Sequence, residues 1–248
     1  MVPNLTELVL RLPWDVDMAY VAKRLNPLRT LRKFTLQTYS YPIRFSHSRS
    51  QLSFFSSVIA RNPNLTHLAL VLSRDIRCDF SDMLRDIPDN RPLKLECVTI
   101  DCLFEKEDAL LPHIQSLSSL ETRLDDVENT TTLYSMLGRT LVFPPTISVD
   151  SLDNDMCMYL ERHPGVSNFS IDRKGYPGSS RQDFGLSKVI MRHSCTLRKL
   201  RTRSDLLLTL DAEVALLKCV QLSELVLIST NGTITNVSNQ LVSIAIHN

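Results

Sequence analysis

The segment Asn62-Pro63-Asn64-Leu65-Thr66-His67-Leu68-Ala69-Leu70-Val71 decides the fold. Its centre, Leu65-x-x-Leu68-x-Leu70, sets the last two leucines two residues apart. Side chains at that spacing point to one face of a short strand while their neighbours point to the other. Pro63 ends whatever helix precedes it and biases Asn62 towards extended geometry. A strand this short does not stand alone, so the pattern is informative only if it recurs.

It recurs along the chain. Leu5-x-x-Leu8-x-Leu10 and Leu222-x-x-Leu225-x-Leu227 match without substitution. Leu31-x-x-Phe34-x-Leu36, Leu95-x-x-Val98-x-Ile100, Val166-x-x-Phe169-x-Ile171 and Leu241-x-x-Ile244-x-Ile246 match with apolar replacements. Leu197-x-x-Leu200-x-Thr202 fits less well, and degenerate copies lie near Leu120 and at Ile147-Ser148-Val149. The starts fall near 5, 31, 65, 95, 120, 144, 166, 197, 222 and 241. Their mean spacing of about 26 lies within the roughly 20–29 residues of a strand-plus-helix repeat, although individual intervals run outside it.

Between the strand motifs the apolar spacing becomes helical: Met18, Val21, Ala22, Leu25; Leu52, Phe55, Val58, Ile59; Phe80, Met83, Leu84, Ile87; Leu152, Met156, Tyr159, Leu160; Leu186, Val189, Ile190. Asn62-Pro63-Asn64 and His163-Pro164-Gly165 end such stripes. Ser81 or Asp79 is expected to cap the helix at Phe80, and Asp211 the helix before Val214.

With these motifs the chain resembles leucine-rich-repeat proteins, in particular the irregular, helix-bearing repeats that follow the F-box in many F-box proteins. The resemblance spans nearly the whole chain, and Asn62-Pro63-Asn64-Leu65-Thr66-His67-Leu68 carries it best. The family's Asn or Cys after the strand is replaced by Pro13, Tyr39, Ser73, Leu103, Lys174, Asp205 and Thr230. An internal asparagine ladder is therefore not expected, and irregular turns are. The expected fold is an α/β leucine-rich-repeat-like solenoid, with a curved parallel sheet on the concave side and helices on the convex side. Residues 1–248 are expected to form a single irregular repeat domain without terminal caps, so that the chain is a fragment of a longer repeat protein or its ends are covered by a partner. Leu12-Pro13-Trp14-Asp15-Val16 is similar to the opening of an F-box helix, but the rest of that motif does not follow. It lies between two strand motifs and reads as an inter-strand helix.

In such a solenoid the x residues of x-L-x-L-x face the concave side, and these are the candidate partner-binding residues: Arg11, Lys33, Gln37, His67, Asp101, Asp172, Lys199, Arg201, Arg203 and Glu224. Varied side chains on a rigid scaffold suit a protein or peptide partner. Residues 198–203, Arg-Lys-Leu-Arg-Thr-Arg, form the one dense basic cluster. It could take an acidic peptide, a phosphate or nucleic acid, or be a solvated strand face answered by Asp172 and Glu224.

Composition narrows the remaining classes. Twenty-eight Lys plus Arg against 27 Asp plus Glu give a net charge of +1, with no global pull towards nucleic acid or an anionic membrane. The longest apolar runs are too short to span a bilayer, and Met1-Val2-Pro3-Asn4 opens no signal peptide. Six scattered cysteines without a C-x-x-C pair suit a reducing compartment, so a cytoplasmic or nuclear location is expected. Asn4-Leu5-Thr6 and Asn64-Leu65-Thr66 read as by-products of the repeat rather than glycosylation sites.

The competing fold is a doubly wound α/β enzyme. The six glycines form neither G-x-G-x-x-G nor a P-loop, and no G-x-S-x-G or H-E-x-x-H occurs, so no cofactor and no catalytic residue is expected. Cys157 with His163, and His193 with Cys195, have separations a metal tolerates, yet no second pair completes either set, so they read as residues at helix ends and no metal is expected. The expected function is a non-catalytic protein-protein interaction module. The F-box resemblance implies the substrate-recruiting region of a ubiquitin-ligase receptor lacking its F-box. The alternatives are an enzyme of unknown chemistry and a nucleic-acid binder through 198–203.

Overall fold

A computed structural model describes residues 4–13, 16–39, 51–72, 77–123, 127–150, 152–171, 185–203, 210–228 and 234–238. The backbone divides into two compact units, Met1–Met136 and Leu137–Asn248.

In the first unit every described L-x-x-L-x-L copy is a strand: β1 (Glu7–Pro13), β2 (Lys33–Tyr39), β3 (His67–Val71), β5 (Cys97–Asp101) and β7 (Ser119–Thr122). They pair in parallel, in chain order and without a register slip, Leu8 beside Phe34, Leu68, Val98 and Leu120. A short parallel ribbon, β4 (Arg77–Asp79) with β6 (Leu103–Glu105), was not legible in the repeat.

The connections are helical: α1 (Met18–Leu25), the 3-10 turn Gln51–Phe55 leading into α2 (Ser56–Ala60), α3 (Phe80–Leu84) and the 3-10 turn Glu107–His113. Asp17 caps α1 by accepting the Tyr20 N–H. Of the two candidates at α3, Asp79 is the cap, accepting the N–H groups of Ser81 and Asp82. Partial burial pushes its carboxyl up, but these bonds outweigh that and hold it below the ordinary value.

Strand alternation separates core from surface. Phe34, Leu36, Leu68, Leu70, Val98, Ile100 and Leu120 are buried. Phe55 of the 3-10 turn lies 5.8 Å from Phe34, ring centre to ring centre. The hydroxyl of Tyr134, on α4 (Val127–Thr140), bonds Thr122 of β7 at 2.8 Å. Each fully buried leucine or phenylalanine contributes about 1.5–3 kcal/mol relative to exposure.

The second unit repeats the scheme with β8 (Thr146–Val149), β9 (Asn168–Ile171), β10 (Lys199–Arg203) and β11 (Glu224–Ile228), parallel and in order. Helices α5 (Asn154–Arg162), α6 (Leu186–Arg192) and α7 (Leu210–Leu217) connect them. Two expectations need correction. Asp211 does not cap α7; it lies within the first turn, where a carboxylate still favours the helix dipole. The strand after β11 is β12 (Ile234–Ser238), and it runs antiparallel. Residues 229–233, between the two strands, lie outside the described residues. The copy at Leu241 lies outside the described residues.

The missing asparagine ladder has a substitute. The carbonyl just before each strand accepts two successive N–H groups of the next repeat: Thr6 takes Arg32 and Lys33, Arg32 takes Thr66 and His67, Thr66 takes Glu96 and Cys97. Hydroxyls of the following repeat reinforce it, Thr66 on Arg32 O, Ser118 on Glu96 O, Ser167 on Pro145 O and Ser223 on Arg198 O. This gives a bonding role to the Thr66 of Asn64-Leu65-Thr66: a hydroxyl at the second repeat position is a rung of the ladder.

Candidate binding surface

In each unit the strand residues that alternate with the core residues form ranks across neighbouring strands. In the first unit one rank is Glu7, Lys33, His67, Cys97, Ser119; the next is Val9, Thr35, Ala69, Thr99, Glu121; the third is Arg11, Gln37, Val71, Asp101. All are half-buried or exposed. The expected residues Arg11, Lys33, Gln37, His67 and Asp101 therefore share one face, with Arg11, Gln37 and Asp101 in a single rank.

Charge on this face is largely answered within it. Lys33 lies 3.6 Å from Glu7, and Glu121 accepts the Thr99 hydroxyl at 3.1 Å and pairs with Arg123 at 2.6 Å. His67 Nδ1 bonds the Thr66 hydroxyl at 2.8 Å. Exposed pairs of this kind fix side-chain positions more than they add stability.

In the second unit the ranks are Thr146, Asn168, Lys199, Glu224 and Ser148, Ser170, Arg201, Val226, with Arg203 beside Ile228. Lys199, Arg201 and Arg203 share one face of β10, and Lys199 is paired with Glu224 at 2.8 Å, the solvated-face arrangement. Val226 sits in this rank but is buried, so the face is not uniformly open. Asp172 lies outside the described residues.

Ser119, Glu121, Thr146 and Ser148 belong to these ranks but were missed in the sequence: the β8 repeat has no marker leucine, and the β7 repeat, Leu117-x-x-Leu120-x-Thr122, ends on Thr in place of the third. The alternation in Thr146-Ile147-Ser148-Val149 was the signal available.

The sequence also gave no hint of a buried polar set at the turns leading into strands. Asn62, 1% exposed, accepts the Leu31 N–H at 2.8 Å and donates to Val58 O and Leu28 O at 2.7 and 3.2 Å. His113 Nδ1 accepts the Leu93 N–H. His163 Nδ1 accepts from Gly165 N and its Nε2 meets Pro144 O; His193 Nδ1 accepts from Val166 N and its Nε2 meets Leu160 O. A carbonyl only accepts, so both Nε2 atoms carry the proton. Burial pushes the ordinary imidazole values of His113 and His163 down, and that of His193 to about 4. His163 and His193 are helix C-caps whose ring nitrogens are all taken by backbone.

Burial raises the thiol of Cys78, takes that of Cys102 up to about 12 and that of Cys219 to about 11, the opposite of an activated nucleophile. Among the described residues no group of three or more His, Cys, Asp or Glu could hold a metal ion, and no helix is long and apolar enough to cross a membrane. No protein-family model, no curated protein and no solved structure matches the chain.

Proposed function

We propose that this chain is a non-catalytic interaction module of leucine-rich-repeat type, which holds a protein or peptide partner on the open face of its strands. The observation that supports this reading most is the ranked, parallel placement of varied side chains, Val9, Thr35, Ala69 and Thr99 with Arg11, Gln37 and Asp101, on strands whose alternate residues are buried in β2, β3 and β5 and half-buried in β1. Such a surface is preorganised, so little conformational entropy is lost when it is covered. Within this reading, the resemblance to F-box repeat regions assigns the partner the role of a ligase substrate.

The test is partner capture with the full chain. Thr35→Arg and Ala69→Arg place bulk and charge in the middle rank without touching the core. They are expected to abolish capture, while Lys23→Glu on α1 and Lys188→Glu on α6 leave it intact. Loss of the partner with the helix variants and retention with the strand variants would refute the reading.

A further inference from the structure

The turn 163–167 that leads into β9 is held by two imidazoles, one from each side. His163, at the end of α5, accepts the Gly165 N–H at 3.1 Å; His193, at the end of α6, accepts the next amide, Val166 N–H, at 3.3 Å. The same rings donate from Nε2 to Pro144 O at 2.9 Å and Leu160 O at 3.0 Å. They are 1% and 2% exposed and meet edge to face with centroids 5.7 Å apart. Two adjacent backbone N–H groups thus depend on two nitrogens that keep a lone pair only while the rings are neutral. We propose that His163 and His193 form a proton-operated latch in the second unit: a proton on either ring expels the amide its Nδ1 accepts and releases the turn into β9.

The surroundings favour the neutral rings and offer little to a charged one. On α5, Tyr159 lies edge-on to His163 and gives its hydroxyl to Val142 O. From the segment before β8, Phe143 packs on His163 at 5.2 Å. On α6, Arg192 beside His193 adds positive charge and donates to Glu161 O. After α6, Thr196 uses its hydroxyl on Val166 O, and Cys219 after α7 directs its thiol to Ala215 O. Among the described residues no carboxylate acts on either ring. A second proton would set two imidazolium rings against each other.

The first unit supplies an internal control, because the Leu31 N–H is held by the amide of Asn62, which does not titrate. The experiment is amide hydrogen exchange on the full chain, followed by NMR between pH 7 and 4.5 and corrected for intrinsic rates. Protection at Gly165 and Val166 is expected to fall up to about tenfold per pH unit below the ordinary histidine range, while Leu31 follows only the overall loss of stability and falls less steeply. The variant His163→Asn/His193→Asn, on the precedent of Asn62, is expected to flatten that dependence. Should the variant not fold, the comparison of Val166 with Leu31 in the wild-type chain decides alone. Parallel loss at all three amides, no loss at Gly165 and Val166, or an unchanged slope in a folded variant would overturn the proposal.

Discussion

Asn62 shows how much one side chain can carry. Its amide satisfies one N–H and two carbonyls, and Asn62→Ala orphans the Leu31 N–H and Val58 O, while Leu28 O keeps the Arg29 guanidinium. A buried orphan costs about 1–3 kcal/mol, partly relieved by relaxation, and a loss of about 3 kcal/mol in urea unfolding is expected. Thr202 is the opposite case. It occupies a leucine position, is fully buried, and its hydroxyl has no hydrogen-bond partner. Thr202→Val removes the desolvated hydroxyl at nearly constant volume, and the same measurement should show a gain of up to about 1 kcal/mol. The histidines set a pH dependence whose sign is fixed: their folded values lie below the ordinary one, so below it the unfolded chain binds protons that the folded chain refuses. Stability is therefore full above about pH 6.5 and falls as pH drops towards 4, the lower limit set by His193. Thermal unfolding at a series of pH values reads this directly.

The helix ends carry the next level of specification. After α4 the chain turns through Leu141 at φ 58°, with Val142 N bonded back to Leu137 O at 3.1 Å. This is the Schellman arrangement, which favours glycine, and Leu141 is 75% exposed, so its side chain contributes little there. Leu141→Gly should raise stability by about 0.5–1 kcal/mol, measured by chemical denaturation. Asp153 caps α5 through the Met156 N–H at 2.7 Å, and Asp153→Ala should cost about 1 kcal/mol in the same assay. The strands of the main series and helices α1, α2, α3, α5 and α6 were legible from apolar spacing, since a period of two changing to one near 3.6 is what burial on one face demands, whereas α4 and the 3-10 turn at Glu107–His113 were not. The His and Asn turn residues were not, because a lone polar residue at a helix end looks the same whether it faces water or a buried amide.

At the scale of the chain, the reading of an ordered series of parallel strands alternating with helices holds within each unit. The antiparallel β12 and the β4–β6 ribbon escaped it, being short pairings that leave no trace in leucine periodicity. The candidate face was legible for the same reason as the core, since one alternation defines both, and it was missed at β7, where Thr122 replaces the third leucine, and at β8, which has no marker leucine. Native cysteines allow a direct test of whether that face is where a partner binds. Cys97 stands on it beside His67, Cys195 is exposed beyond α6, and Cys78, Cys102 and Cys219 are buried with raised thiols and should stay silent. Alkylation of the full chain, free and in complex with its captured partner, followed by mass spectrometry, measures the contact site by site. Cys97 should be protected at least tenfold in the complex while Cys195 reacts as before. Protection of Cys195 with Cys97 unchanged would contradict the account.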